Sequence, residues 1–458
     1  MHSFPSPNPQ RPPPLRDYQL EPIRAITASF QNNLGLTFCI QISRQGGKNE
    51  LSARLEALLL TAHRLSGGAI VKTAPTLEPQ LKTSYNRLAD YLAADRVPHH
   101  TAWPQIHVGR ALIDFRSAEP AANVVGATAS LLLEADEAQD IDPDIFDARF
   151  RPMAATTNAT VVMYGTAWRD DSLLQITTNT NADLEKADGL RRNFLIDWRR
   201  VAQRVPLYAR FIAAERLRLG PAHPLFTTQY ELTPLTGEGR LLNPAQITQL
   251  QGSHPRLDGP IIGDIYIAGL DLAGEDTGSG ALHDRTVLTI GRVARATPDK
   301  LLAAAVPVEV VHHTSARGMP HAELIPMLAD VLRTWRVRHL TADATGVGET
   351  TAALLAAAIP ACTVAAFKFT QQTKSDLGFR LITAINTGCL KLYAADGSQD
   401  HATTIAEARL ARRETRPNNT ITFSVPEREG NDDYLISLAL LAHAAKDTPI
   451  RRAVGRTT

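Results

Sequence analysis

The sequence predicts a two-domain α/β protein, with a parallel sheet in its N-terminal part and a mixed sheet in its C-terminal part. The chain has 458 residues, which suffices for about two or three domains. In the first half, short and nearly continuous apolar runs alternate with helical segments, as expected of buried parallel strands. The second half begins with three strand-like runs and continues with alternating helices and strands. That order is typical of a mixed sheet covered by helices.

The apolar runs give the individual strands. We predict N-terminal strands at 36–42, 69–73, 112–115, 131–135 and 160–164, and C-terminal strands at 265–271, 286–293, 306–312, 339–343 and 363–369. Proline, glycine and charge then divide the chain into five segments. These are a disordered proline-rich N-terminus (1–15), an N-terminal domain (16–190), a basic helical connector (191–257), a C-terminal domain (258–446) and a basic flexible tail (447–458).

Composition excludes several classes of protein. No apolar run reaches the roughly 18 residues of a membrane span, and the N-terminus lacks the pattern of a secretion signal. The three cysteines, Cys39, Cys362 and Cys389, form no Cys-x-x-Cys pair. We therefore expect no disulfide framework and no membrane partner, and a reducing cytoplasm fits. The net charge of +1 neither supports nor excludes nucleic acid as a partner.

The connector carries a strong local charge. Residues 191–218 contain eight arginines against two acidic residues, Asp197 and Glu215. Two interpretations stay open: a solvated helix face, or a surface that touches phosphate groups. In the second case, four of the arginines are candidates for phosphate contacts, namely Arg199, Arg200, Arg204 and Arg210.

A loop suited to phosphate follows the first strand. It reads Ser43-Arg44-Gln45-Gly46-Gly47-Lys48-Asn49 and leads into a helical run. Small residues allow backbone N–H groups to turn towards phosphates, and the helix N-terminus adds positive potential. Lys48 would reach the terminal phosphates. Ile42 stands where the usual motif has its first glycine, and Asn49 replaces the usual Ser or Thr, although its side-chain oxygen can still face Mg²⁺. A purely structural turn is the alternative.

A second motif completes a nucleotide site. The apolar strand 131–135 ends in Asp136 and Glu137. Asp136 is predicted to hold the Mg²⁺ shell and Glu137 to polarise the attacking water, although an acidic helix cap is the alternative. Because both motifs occur in the right order, we expect nucleotide hydrolysis. Gln19 can read an adenine edge, which favours ATP, and Thr166, after the next strand, is a candidate sensor of the γ-phosphate.

Carboxylates also gather in the second domain. Asp271 and Asp343 each end an apolar strand, and Asp432 and Asp433 open an apolar helix. Such a cluster is costly unless cations occupy it. Two Mg²⁺ or Mn²⁺ ions are therefore predicted, because oxygen-only ligands suit these cations better than zinc. A simpler alternative is that Asp343 caps the next helix and that Asp432 or Asp433 is a helix N-cap.

These motifs, in this order over residues 16–445, resemble the large terminase subunit of tailed bacteriophages. The resemblance implies a P-loop ATPase domain of the ASCE type followed by an RNase H-like nuclease domain. It implies a ring-forming motor that pumps double-stranded DNA through a portal protein into a procapsid, cuts concatemeric DNA and works with a small terminase subunit. The expected location is the bacterial host cytoplasm, transiently at the portal. By the same resemblance, Arg44 contacts phosphate or couples hydrolysis to movement, and Thr166 is a coupling residue.

Two other functions fit the same motifs. A helicase-nuclease of DNA repair or recombination would share both sites, but it normally carries a second helicase-type domain, for which the sequence before residue 260 gives no sign. An inactive prophage remnant that only binds DNA is the other alternative. The intact Lys48, Asp136, Glu137, Asp271 and Asp343 disfavour it.

Overall fold

The computed structural model describes residues 14–122, 126–236, 238–273, 285–295, 305–345, 348–416 and 418–448. Most of the predicted disordered N-terminus (1–13) and of the predicted tail (449–458) lies outside these ranges. The chain forms two compact units. Unit 1 comprises Met1–Ile212 and Thr227–Thr236, and unit 2 comprises Ala213–Phe226 and Gly237–Thr458. The division falls inside the segment that the sequence predicted as a connector.

Unit 1 is built on a sheet with eight strands among its described residues, in the order β3-β4-β5-β2-β6-β7-β1-β8. Its elements are α1 (Asp17–Gln31), β1 (Thr37–Ile42), α2 (Lys48–Ala62), β2 (Gly68–Ala74), α3 (Lys82–Ala94), β3 (His100–Ala102), β4 (Gln105–Val108), β5 (Ala111–Ser117), β6 (Leu132–Ala135), α4 (Pro143–Ile145), β7 (Thr160–Gly165), α5 (Leu173–Asp188), β8 (Asn193–Ile196) and α6 (Trp198–Arg204). Two further helices, α7 (Pro206–Leu219) and α8 (Pro224–Gln229), begin or end in this unit.

Six neighbouring strands of this sheet are all parallel, as the near-continuous apolar runs predicted; in spatial order they are β5, β2, β6, β7, β1 and β8. Helices pack on the sheet, so the residues of β6 and β7 are buried on every side. Since parallel strands end at one edge, the segments after β1, β6 and β7 meet there. Strand β7 lies between β1 and β6, and this order places the segment after β7 beside both of them.

Unit 2 contains a six-stranded sheet, in the order β14-β13-β10-β11-β12-β15, and a three-stranded antiparallel sheet, β17-β16-β9, among its described residues. Its elements are β9 (Glu238–Arg240), α9 (Pro244–Leu250), β10 (Tyr266–Asp271), β11 (Arg285–Val293), β12 (Val308–Arg317), α10 (His321–Thr334), β13 (Val337–Asp343), α11 (Gly348–Ala358), β14 (Thr363–Phe367), α12 (Gln371–Asn386), β15 (Leu390–Lys391), α13 (Gln399–Leu410), β16 (Arg412–Arg416), β17 (Thr420–Ser424) and α14 (Asp433–Ala444).

The larger sheet is mixed, as predicted. Strands β10, β11 and β12 are antiparallel neighbours, whereas β13 and β14 continue parallel to β10. Helix α14 is apolar and almost wholly buried, and it packs against β10, β11 and β13. It approaches β10 closely at Gly269, where a Cβ atom would lie 2.2 Å from the carbonyl oxygen of Ser437. Within the described residues, no helix has the length and apolarity needed to cross a bilayer.

Candidate nucleotide and metal sites

The predicted phosphate loop lies between β1 and α2. Gly47 caps α2 with φ 93°, a left-handed conformation that favours glycine. Gly46 is packed closely, because a Cβ there would lie 2.6 Å from Ile42 and 2.7 Å from the carbonyl oxygen of Ser43. The N–H groups of Lys48 and Asn49 belong to the first turn of α2, and such groups have no acceptor within a helix. The loop therefore offers N–H donors and the positive end of a helix to an anion.

Lys48 joins the two motifs that the sequence placed far apart. Its Nζ lies 2.9 Å from Oδ1 of Asp136 and donates a hydrogen bond to Glu137. Burial alone would lower the pKa of the Lys48 amine, but the two carboxylates raise it overall. Burial would raise the pKa of Asp136, yet Lys48 and Lys72 hold it below its usual value. The single ammonium group of Lys48 thus offsets one of the two negative charges of Asp136 and Glu137.

Gln139 connects the predicted base to the segment after β7, and sequence reasoning missed it. Its Nε2 donates to Oε2 of Glu137 at 2.7 Å, and its Oε1 accepts from the N–H of Thr166 at 3.3 Å. At Gly165 a Cβ would lie 2.1 Å from the same amide oxygen, so a larger residue there would displace Gln139. Only its position two residues after Glu137 could have drawn attention to it.

The remaining predicted nucleotide residues lie in the loop itself or, in the case of Gln19, beside it. The Gln19 side chain is buried, and both ends of its amide are used: Nε2 donates to the carbonyl oxygen of Gly47 at 2.9 Å, and Oε1 accepts from the N–H of Arg16. In this conformation Gln19 supports the loop, and its adenine contact stays a prediction. Arg44 and Gln45 are exposed, Ser43 is buried, and Asn49 is half-buried at the start of α2.

The predicted metal-binding carboxylates lie at one edge of the sheet in unit 2. Asp271 ends β10 and Asp343 ends β13, and these strands are parallel neighbours. The residues just before them, Leu270 and Ala342, are paired across the strands. Helix α14 begins at Asp433. The buried carboxylate of Asp433 accepts a hydrogen bond of 2.9 Å from the N–H of Arg285 on β11.

These carboxylates share an edge without closing into a metal-binding group. In the part of the chain that the structure describes, no three His, Cys, Asp or Glu side chains are close enough to hold a metal ion. Asp271, Asp343 and Asp432 are half-buried, so solvent reaches this edge. All four aspartates offer oxygen donors only, which fits Mg²⁺ or Mn²⁺ chemically. The two-metal site stays a prediction.

Glu407 is a further carboxylate at this edge that sequence reasoning missed. Its Oε2 accepts from the N–H of Leu435 at 2.9 Å, in the first turn of α14. Burial, together with the charges of Asp433 and Asp432, raises the pKa of Glu407 to about 8. Glu407 therefore fixes the end of α14 that carries Asp433. Its place in the middle of α13 gave no signal of this contact.

The chain is similar in structure to the large terminase from a thermophilic bacteriophage. The TM-score is 0.54 at 10% sequence identity, and the match covers 94% of this chain and 99% of that chain. The same terminase in complex with ADP gives a TM-score of 0.52 at 10% identity with the same coverage. The large terminase of bacteriophage HK97 matches at 15% identity and a TM-score of 0.42, over 95% of this chain and 96% of that chain.

The two structures of the thermophilic phage terminase carry the fold comparison, since they match both units over nearly their whole length. No protein-family model matches the sequence, and no curated protein matches it either. The chain therefore has the fold of a phage large terminase, in which an α/β unit with a largely parallel sheet is followed by an α/β unit with a mixed sheet.

Proposed function

We propose that this chain is the large subunit of a phage terminase, an ATP-driven motor for viral DNA that also cuts concatemeric DNA. One observation carries the proposal: Lys48 lies between Asp136 and Glu137 where β1 and β6 end, beside a loop shaped for an anion. The terminase-like fold of both units supports it.

The ATPase chemistry follows from these contacts. The terminal phosphates of ATP attract Lys48 and draw it from Glu137. Glu137 is then free to take a proton from the attacking water. Asp136 and Asn49 would hold the magnesium ion, which neutralises phosphate charge when bound. Gln139 connects Glu137 with Thr166, so a change at the γ-phosphate can reach the segment after β7.

The nuclease chemistry is assigned to the carboxylate edge of unit 2. Asp271, Asp343, Asp432 and Asp433 would bind two Mg²⁺ or Mn²⁺ ions, which supply an activated water and charge stabilisation when bound. Such a site reads the phosphodiester backbone of double-stranded DNA with little base preference. Glu407 and Arg285 hold the end of α14, so Asp433 has a defined position.

The proposed partners come from the resemblance to the terminase family. They are the small terminase subunit, the portal protein of the procapsid, and further copies of the chain in a packaging ring. The proposed location is the bacterial host cytoplasm, and transiently the portal.

The test separates the two activities in the full-length protein. Lys48→Ala or Glu137→Ala should abolish ATP hydrolysis, with a loss of about 10²-fold or more for Glu137, and leave plasmid cutting with Mg²⁺ or Mn²⁺ intact. Asp271→Ala or Asp343→Ala should abolish plasmid cutting and leave ATP hydrolysis intact. EDTA should stop the cutting in every variant. Exposed, ion-paired residues give matched controls: Lys186→Ala for the lysine and Asp330→Ala for the aspartates.

The outcome also distinguishes the alternatives. Parental ATP turnover in Lys48→Ala would contradict the ATPase assignment. A protein that neither hydrolyses ATP nor cuts DNA would be an inactive remnant. ATP-dependent unwinding of forked DNA would instead indicate a helicase-nuclease.

A further inference from the structure

The carbonyl oxygens of the phosphate loop are held by side chains from other parts of unit 1. In a trans peptide the C=O and the following N–H point in opposite directions. A donor that binds a loop carbonyl therefore turns the next N–H to the opposite side, towards the anion site. Three buried side chains do this: Tyr208 binds the carbonyl of Arg44 at 2.7 Å, Tyr18 binds that of Gly46 at 3.0 Å, and Gln19 binds that of Gly47 at 2.9 Å.

The Tyr208 hydroxyl has a second contact that decides where its proton lies. It is 2.6 Å from Oγ of Ser43 and 2.7 Å from the carbonyl oxygen of Arg44. A carbonyl only accepts, so Tyr208 donates its single proton to Arg44. Ser43 must then donate its own proton to Tyr208. Burial raises the pKa of Tyr208 to about 12, so the hydroxyl keeps its proton at neutral pH.

Gln229 holds the same residue of the loop from another helix. Its carbonyl oxygen accepts from the N–H of Arg44 at 2.8 Å, and its side-chain Oε1 accepts from the Arg44 guanidinium at 2.6 Å. Tyr208 lies on α7 and Gln229 ends α8, and both belong to unit 1. We call these two residues the loop clamp. Together they bind three groups of Arg44: its backbone N–H, its carbonyl oxygen and its guanidinium group.

We propose that the loop clamp, Tyr208 and Gln229, positions the first half of the phosphate loop so that the N–H of Gln45, which follows the held carbonyl of Arg44, faces the phosphates of ATP. This inference rests on the proposed function, because it concerns the same site. It also gives the segment after β8 a role that the sequence did not suggest. Neither residue touches the groups that act on water, so the clamp acts on nucleotide binding.

The test is Tyr208→Phe in the full-length protein, which removes one hydroxyl and keeps the ring. The KM for ATP and the Kd for a fluorescent ATP analogue should both rise about tenfold, the effect of losing one to two hydrogen bonds. The kcat should change less than about twofold, because Lys48 and Glu137 are untouched. Tyr85→Phe is the matched control, since Tyr85 is also buried in unit 1 but packs on Trp103 and Phe115.

A double-mutant cycle tests the shared proton. Ser43→Ala should raise the KM about as much as Tyr208→Phe, and the double variant should be no worse than either, since both break one chain of hydrogen bonds. Additive effects would contradict this assignment.

Two results would overturn the clamp alone: Tyr208→Phe with the parental KM and Kd, or a lowered melting temperature with unchanged nucleotide binding by the folded protein. A parent that neither binds nor hydrolyses ATP would overturn the proposed function, and the clamp with it.

Discussion

Three ionisable side chains lie fully buried close to the proposed nucleotide site: Lys72, Glu56 and Glu134. Lys72 donates to Oε1 of Glu56 at 2.6 Å, and Tyr164 donates to Oε1 of Glu134 at 2.8 Å. The other oxygen of each carboxylate is buried without a hydrogen-bond partner in the structure. Burial, reinforced by the charge of Glu56, raises the pKa of Glu134 well above its usual value. We infer that Lys72 pairs with Glu56 and that the raised pKa of Glu134 favours the neutral form of its carboxyl group.

Glu134→Gln tests this charge assignment. An acid with a raised pKa keeps a proton in the folded state that the unfolded chain releases above about pH 4.5, so it makes stability fall as pH rises. Glutamine has no titratable proton, so the variant should lose this dependence of stability on pH. The free energy of unfolding of the variant, measured with urea, should match that of the parent near pH 5 and exceed it above pH 7.

Lys72→Met leaves the buried Glu56 unpaired and should lower the free energy of unfolding by about 3–5 kcal/mol. If Glu134→Gln and Lys72→Met lost the same free energy of unfolding, Glu134 would instead be ionised.

Local patterns in the sequence were enough to single out Lys48, Asp136 and Glu137 as candidates, because a loop and a strand end each carry a short motif. The structure brings these three together. Tyr208 was not predictable, because its contact with Ser43 spans 165 residues and an isolated tyrosine in a basic helix has no motif.

At the scale of elements, α6 and α7 clarify the arginine-rich segment. Six of its eight arginines already pair with acids. Three of these six are candidates for phosphate contacts: Arg199 pairs with Asp197 and Glu231, Arg200 with Glu21, and Arg204 with Asp17. These exposed pairs contribute little to stability, but they compete with phosphate for the same guanidinium groups. Arg210 and Arg216 on α7 are exposed and form no ion pair within the described residues.

We therefore expect DNA binding to depend more on Arg210 and Arg216 than on the paired arginines. Replacing both by Gln should weaken binding on all sequences alike and reduce the slope of log K against log salt by about 0.9 per lost contact. The paired Arg199 and Arg204, replaced by Gln, are the matched control and should change the slope less. Fluorescence anisotropy across a salt series measures both. An unchanged slope for Arg210 and Arg216 would favour the solvated-face interpretation.

The main strands were predictable because buried parallel strands leave continuous apolar runs. The strands of the small three-stranded sheet in unit 2 were not. Strand β16 reads Arg412-Arg413-Glu414-Thr415-Arg416, which has the polarity of a loop. It forms because it pairs with β17 on one side and β9 on the other. Such long-range pairing leaves no local signal in the sequence.

At the scale of the whole molecule, unit 2 begins earlier than the predicted domain at residue 258. Strand β9 pairs with β16, and Gln251 forms a bridge with Leu392. His254 contacts the carbonyl oxygen of Val310 at 2.7 Å. These segments belong to the unit that carries the aspartates.

A fragment of residues 213–458 should therefore fold more stably than one of residues 258–458, which loses the pairing of β9. With Mg²⁺ or Mn²⁺ and without ATP, the longer fragment should nick or cut plasmid DNA, since the ions supply the activated water when bound. EDTA or Asp343→Ala should stop the cutting. Circular dichroism melting compares the two fragments. A folded longer fragment that binds no divalent ion and leaves plasmid intact would refute the nuclease assignment.

Gly269 has no side chain, and α14 occupies the space that one would fill. A Cβ there would lie 2.2 Å from both the carbonyl oxygen of Ser437 and the N–H of Leu441, and both are rigid helix backbone. One added methyl group would therefore push away the helix that begins at Asp433, without altering any charge. This buried position therefore has no room for any side chain. A mutagenesis screen for loss of DNA cutting that covers only polar residues would overlook Gly269.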